Sequence, residues 1–191
     1  MEEERDNSLA HIESQCAWLE RLVQTLLKLI TLEQAILVEN VSVAALFEWV
    51  RQSTQQALAD KGVALIMRCD ADTLPMNADL MQSLLINLVD NAAKAYDADA
   101  QNKTVTLSCY GNVLEVKDFG RGIPKESMER IFEPFYMVDK SRSKKAGGSG
   151  LGLALVKQIA DAHGARLEVE STLGSGTAVR VVFPNYKKIT S

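Results

Sequence analysis

Apolar residues recur at Leu9, Ile12, Cys16, Leu19, Val23, Leu26 and Ile30, in alternating steps of three and four. That is a seven-residue repeat, which lays one apolar stripe along a helix. Leu22 and Leu29 widen the stripe, and no glycine or proline interrupts it up to Leu37. A helix of about 28 residues is about 40 Å long, more than a compact domain beside it requires. The pattern therefore predicts a helix that pairs with another helix, in a dimer or a four-helix bundle.

Past Val38 the pattern changes. Residues 43–60 carry Leu46, Trp49, Val50 and Leu58 at helical spacing, with Lys61-Gly62 as the stop, and 63–69 reads as a strand. Pro75 and Asn77 lead into a helix over about 79–97. Residues 104–110 alternate, with Val105, Leu107 and Cys109 on one face. Gly111-Asn112 then forms a two-residue turn, and a strand returns over 113–117. A short helix is expected over 124–132 and a longer one over 151–162. Strands over 166–170 and 177–183 are joined by Gly174-Ser175-Gly176. Helices and antiparallel strands in blocks predict an α+β fold, a two-layer α/β sandwich on a mixed, mostly antiparallel sheet. The domain boundary is expected within 38–42, which gives a helical segment 1–39 and a globular unit 40–191.

Composition changes this picture little. An apolar fraction of 47% over 191 residues is ordinary for a globular protein, and a net charge of −4 gives no reason to expect nucleic-acid binding. Cys16, Cys69 and Cys109 are odd in number and lack CxxC spacing, which fits buried free thiols in a reducing compartment. No apolar run approaches the roughly 18 residues of a membrane span. Met1 followed by Glu-Glu-Glu-Arg-Asp is not a targeting segment.

Candidate chemistry begins on the helix over 79–97. Asn87, Asn91 and Lys94 fall on one narrow stripe, beside the apolar arc of Leu84, Leu88 and Ala92. Two carboxamides and an ammonium suit a metal–polyphosphate ligand. An amide oxygen can ligate Mg²⁺ without adding negative charge, an amide NH₂ can donate to phosphate, and Lys supplies a point charge. An ordinary solvated helix face fits the same stripe. On the strand ending Leu114-Glu115-Val116-Lys117-Asp118, the two-residue period turns Asp118 inward with Leu114 and Val116. A buried carboxylate needs a hydrogen-bonding partner, and an exocyclic amine such as adenine N6 would serve, although a turn-capping Asp reads the same way. Gly120 and Gly122 follow at once and permit close backbone approach. Gly147-Gly148-Ser149-Gly150-Leu151-Gly152-Leu153 runs into an amphipathic helix and would form an anion site, although it lacks the GxxxxGK[ST] pattern. Between the clusters, 137–146 packs Lys140, Arg142, Lys144 and Lys145 into a basic loop, read either as a lid over phosphates or as a solvated loop. Phe132, Phe135 and Tyr136 would anchor its base. His11 is expected at a solvated helix position, and His163, before Gly164, at a helix C-terminus with no catalytic role.

In this order, the clusters resemble the ATP-binding domain of bacterial sensor histidine kinases, within the gyrase, chaperone and mismatch-repair ATPase superfamily. Residues 87–94 resemble the N box, Asp118-Phe119-Gly120-Arg121-Gly122 the first glycine box, 132–136 the F box and 148–153 the second glycine box. The heptad helix resembles the second helix of the family's dimerisation and phosphoacceptor bundle. The resemblance implies a Bergerat-type fold that binds Mg²⁺ and ATP. Asn87 would ligate the metal, Asn91 and Lys94 would contact phosphates, and Asp118 would take the adenine amine. Gly120 and Gly122 would shape the base pocket, Ser149, Gly150, Leu151 and Gly152 would line the phosphate end, and Lys140 and Arg142 would be lid cations.

It further implies transfer of the γ-phosphate to a histidine of the full-length sensor kinase, then to the receiver domain of a response regulator, with a homodimer formed through the N-terminal helix. The acceptor histidine is expected upstream of Met1, and this chain is expected to be cytoplasmic, as the cytoplasmic portion of a membrane-anchored sensor, so it is not expected to autophosphorylate alone. Two departures stand out. Ala95 occupies the place of the aromatic that usually follows the N-box Lys, with Tyr96 one position later. Ser83, four before Asn87, stands where the superfamily's ATP hydrolases carry a general-base Glu. The alternatives are an anti-sigma-type serine kinase, which has no use for a heptad helix, and a nucleotide-responsive dimerisation module without catalysis.

Overall fold

The computed structural model describes residues 16, 19, 20, 22–27, 36–97, 99–139 and 149–184. Of the heptad segment, Cys16, Leu19, Glu20 and 22–27 are helical, with Leu19, Val23 and Leu27 exposed. His11, Lys140, Arg142, Lys144 and Lys145 lie outside the described residues.

The remainder forms the expected two layers. Strands β2 (Ala64–Cys69), β4 (Thr104–Tyr110), β5 (Val113–Asp118), β7 (Gly176–Val182) and β6 (Arg166–Thr172) make one sheet in the spatial order β2-β4-β5-β7-β6. β2 and β4 are parallel and every other pair is antiparallel. Helices α1 (Val43–Asp60), α2 (Ala78–Lys94) and α3 (Gly152–Ala162) form the second layer. Val105, Leu107, Leu114, Val116, Val179 and Val181 alternate inward from the strands and meet Leu84, Leu85, Leu88, Leu155 and Ile159 from the helices. Opposite this core the sheet is polar, and Arg180 on β7 bridges Glu115 on β5 (2.6 Å) and Glu170 on β6 (3.1 Å).

A second, two-stranded sheet lies outside the elements that the pattern predicts. β1 (Glu39–Ser42) pairs antiparallel with β3 (Thr73–Met76), Glu39 opposite Met76. Both strands have only four residues, too few to show a period, and the second contains Pro75. Proline is tolerated here because β3 has a partner on one side only. The strand begins at Glu39, one residue before the expected unit 40–191.

Two helices differ from expectation. α2 stops at Lys94 rather than 97, because Arg121 claims its last carbonyls: the Arg121 side chain donates to the Lys94 oxygen (3.0 Å) and its backbone N–H to the Ala95 oxygen (3.1 Å). Over 124–132 there is one 3₁₀ turn (Lys125–Ser127), followed by successive turns through Tyr136 rather than a helix.

His163 locks α3 to α2. It is 3% exposed; Nδ1–H donates to the Ile159 carbonyl (2.7 Å), and Nε2 accepts the Asn77 backbone N–H (2.9 Å) at the N-cap of α2. An acceptor Nε2 requires the neutral ring, and burial holds the pKa below the ordinary value. Because the folded pKa is depressed, the stabilisation is complete above the unfolded value of about 6.5 and is lost as pH falls below it. Denaturant unfolding from pH 7.5 to 5 should therefore show stability falling below about pH 6.5, by up to about 1.4 kcal/mol per pH unit. That component should be missing in His163→Gln, and an identical pH slope in both proteins would refute it.

Candidate functional site

The C-terminal half of α2 carries the amide stripe to the rim of a cavity of about 550 Å³, enclosed by α2, the end of β5, the segments after β5 and before α3, and the start of β7. Asn87, Asn91, Lys94, Asp118, Gly122, Ser149, Gly150 and Gly152 all line it, with Ile123, Ile131, Leu173 and Val179 as apolar wall. Two other expected site residues do not. Leu151 is fully buried, and its carbonyl accepts the Leu155 N–H as the first turn of α3, so it packs. Gly120 lies against Ala95, whose Cβ would be 2.7 Å from any Cβ at position 120.

The stripe is oriented by its own helix. Asn87 Nδ2 donates to the Ser83 carbonyl at 2.8 Å. That contact fixes the amide and turns Oδ1 towards Gly152, where an added Cβ would come within 2.8 Å of it. A side chain at 152 would push on that amide oxygen and displace it. Lys94 is paired with Asp90 one turn back (2.6 Å), and Lys61 reaches the same carboxylate (3.0 Å). Burial acts to raise the Asp90 pKa, but the two ammonium groups outweigh it and the carboxyl is held below its ordinary value.

Asp118 forms the floor and is 5% exposed. Its Oδ1 accepts the Gly120 N–H at 2.8 Å, and the Thr177 N–H also donates to the carboxylate. Burial is the largest influence and pushes its pKa up, against those N–H groups and Arg121. The surrounding loops are sewn together. The Gly174 N–H donates to the Arg121 carbonyl (2.7 Å). Ser171 Oγ accepts the Ile123 N–H (2.8 Å) and donates to the Gly176 carbonyl (3.0 Å). On the opposite wall, the Phe135 N–H donates to the Gly150 carbonyl (2.9 Å), and both residues have positive φ. The aromatic segment and the second glycine cluster thus form one corner.

Tyr96 does not face this cavity. Its hydroxyl donates to the Thr104 carbonyl and accepts the N–H groups of Thr104 (3.2 Å) and Phe119 (3.0 Å). It ties the exit of α2 to the sheet, while Ala95 takes the position against Gly120. Sequence reasoning missed Thr177 and Asp90 as parts of the site. Nothing local marks either, because Thr177 meets Asp118 only through the β5–β7 pairing and Asp90 meets Lys61 only across α1 and α2.

The family model for histidine kinase-, DNA gyrase B-, and HSP90-like ATPases matches residues 76–187, the stretch that holds every residue of this cavity floor and stripe. The chain belongs to that family. Sensor histidine kinase YkoH of Bacillus subtilis is 34% identical over 180 residues, 93% of this chain and 39% of its own length. Sensor protein SrrB of Staphylococcus aureus is 32% identical over 190 residues, 95% of this chain and 32% of its own length. The chain thus spans about a third to two-fifths of these relatives. Among solved structures, full-length ShkA in complex with AMPPNP aligns with a TM-score of 0.72 at 26% identity, covering 87% of this chain and 35% of that one. The mycobacterial sensor histidine kinase MprB aligns with a TM-score of 0.65 at 25% identity, covering 78% and 97%. The two-layer sandwich is the histidine kinase form of this ATPase fold, and the unit around the cavity is an ATP-binding domain. No described helix is long and apolar enough to cross a membrane.

Proposed function

We propose that the chain is the catalytic ATP-binding portion of a sensor histidine kinase, holding Mg·ATP in the 550 Å³ cavity and presenting its γ-phosphate to a histidine of the full-length protein. The observation that carries this is Asp118, a buried carboxylate on the floor of a cavity whose rim holds two carboxamides and an ammonium. Asp118 accepts the adenine amine, Gly122 and the apolar wall hold the base, and Asn91 and Lys94 contact the phosphates. Ser149, Gly150 and Gly152 supply the close backbone at the phosphate end.

Asn87 Oδ1 is the ligand this chain offers to Mg²⁺. The donor set fits: Asn87 brings a neutral amide oxygen to the cavity rim, and Mg²⁺ bound with polyphosphate needs only one or two protein oxygens. When bound, Mg²⁺ would neutralise charge on the phosphates. The chain's own part is to position the nucleotide, exclude water through the apolar wall and supply cations. Ser83 gives Asn87 a backbone carbonyl and no carboxylate to activate water, which favours transfer over hydrolysis. The exposed Leu19, Val23 and Leu27 favour a homodimer through segment 1–39, with Lys140 and Arg142 as lid cations and a response-regulator receiver domain as the downstream partner. The names of both curated relatives favour this over a serine kinase or a non-catalytic module.

Calorimetry with Mg·ADP tests the site. Micromolar-class binding is expected, and Asn91→Asp, which sets a carboxylate against phosphate, should weaken it at least about a hundredfold. Equal affinity in both proteins would remove the site.

A further inference from the structure

We propose that Cys69 and Cys109 form a redox-responsive dithiol, closing to a cross-strand disulfide in the presence of a peroxide-class oxidant. The parallel register sets Cys69 at the end of β2 directly opposite Cys109 on β4, and the Asp70 N–H clamps that register by donating to the Cys109 carbonyl at 3.0 Å. Adjacent strands lie about 4.8 Å apart, within the roughly 4.4–6.8 Å between Cα atoms that a disulfide spans. Both side chains stand on the core face, in the column that continues Leu65–Val105 and Met67–Leu107. Yet their exposure differs: β2 is the edge strand, so Cys69 is open to solvent, whereas Cys109 is 2% exposed. The expectation of buried thiols therefore holds for Cys109 and not for Cys69 or Cys16.

This asymmetry assigns the roles. Exposed Cys69 reacts first: its sulfur takes one oxygen of hydrogen peroxide, hydroxide leaves, and with the thiol proton it becomes water. Cys69 is then a sulfenic acid. The Cys109 sulfur attacks the Cys69 sulfur, and the sulfenic hydroxyl leaves with the Cys109 proton as a second water. Two thiols lose two electrons and one peroxide becomes two waters. The Cys109 thiol is held at about 12 by burial, then by the charge of Cys69 and a hydrogen bond shared with it, with Asp70 adding to the effect. The bridge would close a covalent loop around β3 and α2, the helix that carries the amide stripe.

The test treats the purified chain with hydrogen peroxide, alkylates under denaturing conditions and maps the peptides by mass spectrometry. The expected result is a peptide pair joined through Cys69 and Cys109, two hydrogens lighter than the reduced pair. Alkylatable thiols should fall from three to one, Cys16 alone, and recover with dithiothreitol. Cys69→Ser, a change at an exposed position, should keep Cys16 and Cys109 alkylatable and give no linked peptide, while Cys16→Ser should still form the bridge. Cys69 driven to sulfinic or sulfonic acid with Cys109 still alkylatable, or linkage only between molecules, would overturn the proposal. Neither readout depends on nucleotide, so its failure and that of the ATP site are separable.

Discussion

Replacing Asp118 with Asn is expected to remove measurable nucleotide binding while leaving the domain folded. The carboxylate is an acceptor only, and it already receives the Gly120 N–H at 2.8 Å and the Thr177 N–H. A ligand amine adds a third donor. Asn presents one oxygen and one NH₂, so at least one of the three donors then faces another donor in a site that is 5% exposed. Losing a hydrogen bond to a charged acceptor costs about 1.5–3 kcal/mol, and an unsatisfied buried donor about 1–3 more. The sum is about two to four decades in Kd, at about 1.4 kcal/mol per decade. Calorimetry with Mg·ADP against a thermal melt separates the two effects. An Asp118→Asn protein within about threefold of the parent affinity would show that the floor carboxylate does not read the base. Because burial raises the Asp118 pKa, affinity should also begin to fall with acid at a higher pH than an ordinary carboxylate would give.

The largest stability loss is expected for Gly176→Ala. Gly176 has φ +102°, and a Cβ there would lie 2.1 Å from the Asp118 carbonyl and 2.6 Å from Phe119 Cα. Both atoms are backbone, so no rotamer change relieves the clash, and β5 and β7 must separate where Asp118 is positioned. An additional strain of about 1–3 kcal/mol comes from the left-handed conformation itself. Gly164→Ala provides the comparison, since φ there is +61° and nothing lies within 4 Å of the added methyl. It should cost about 1–2 kcal/mol, against about 3 kcal/mol or more for Gly176→Ala. In thermal melts the Gly176→Ala protein should fall by about 10 °C. Equal melting shifts for the two variants would show that the close approach is not what requires glycine at 176.

Gly176 and Asp118 meet at the same few atoms. Gly176 lets β7 pass against the Asp118 carbonyl, and the next residue, Thr177, then donates its N–H to the Asp118 carboxylate. A turn that reads in sequence as a hairpin connection is thus part of how the floor of the cavity is built.

Residue order alone was enough for most of the elements and for which side chains turn towards the cavity. Helical and two-residue periods are local, so α1, β4 and β5 were legible to within a residue. The inward Asp118 and the stripe of Asn87, Asn91 and Lys94 followed from the same periods, because side-chain direction is set by position along one element. Whatever depends on two distant segments meeting had no local signature. The β1–β3 sheet is made of strands too short to show a period, and the end of α2 is decided by Arg121, which arrives from beyond β5. Ala95 and Tyr96 read as a displaced aromatic, yet packing gives each a use, one against Gly120 and the other bridging Thr104 and Phe119. Cys69 and Cys109 read as unrelated thiols until parallel register put them side by side. Period fixes which way a residue faces, and only tertiary packing fixes what it faces.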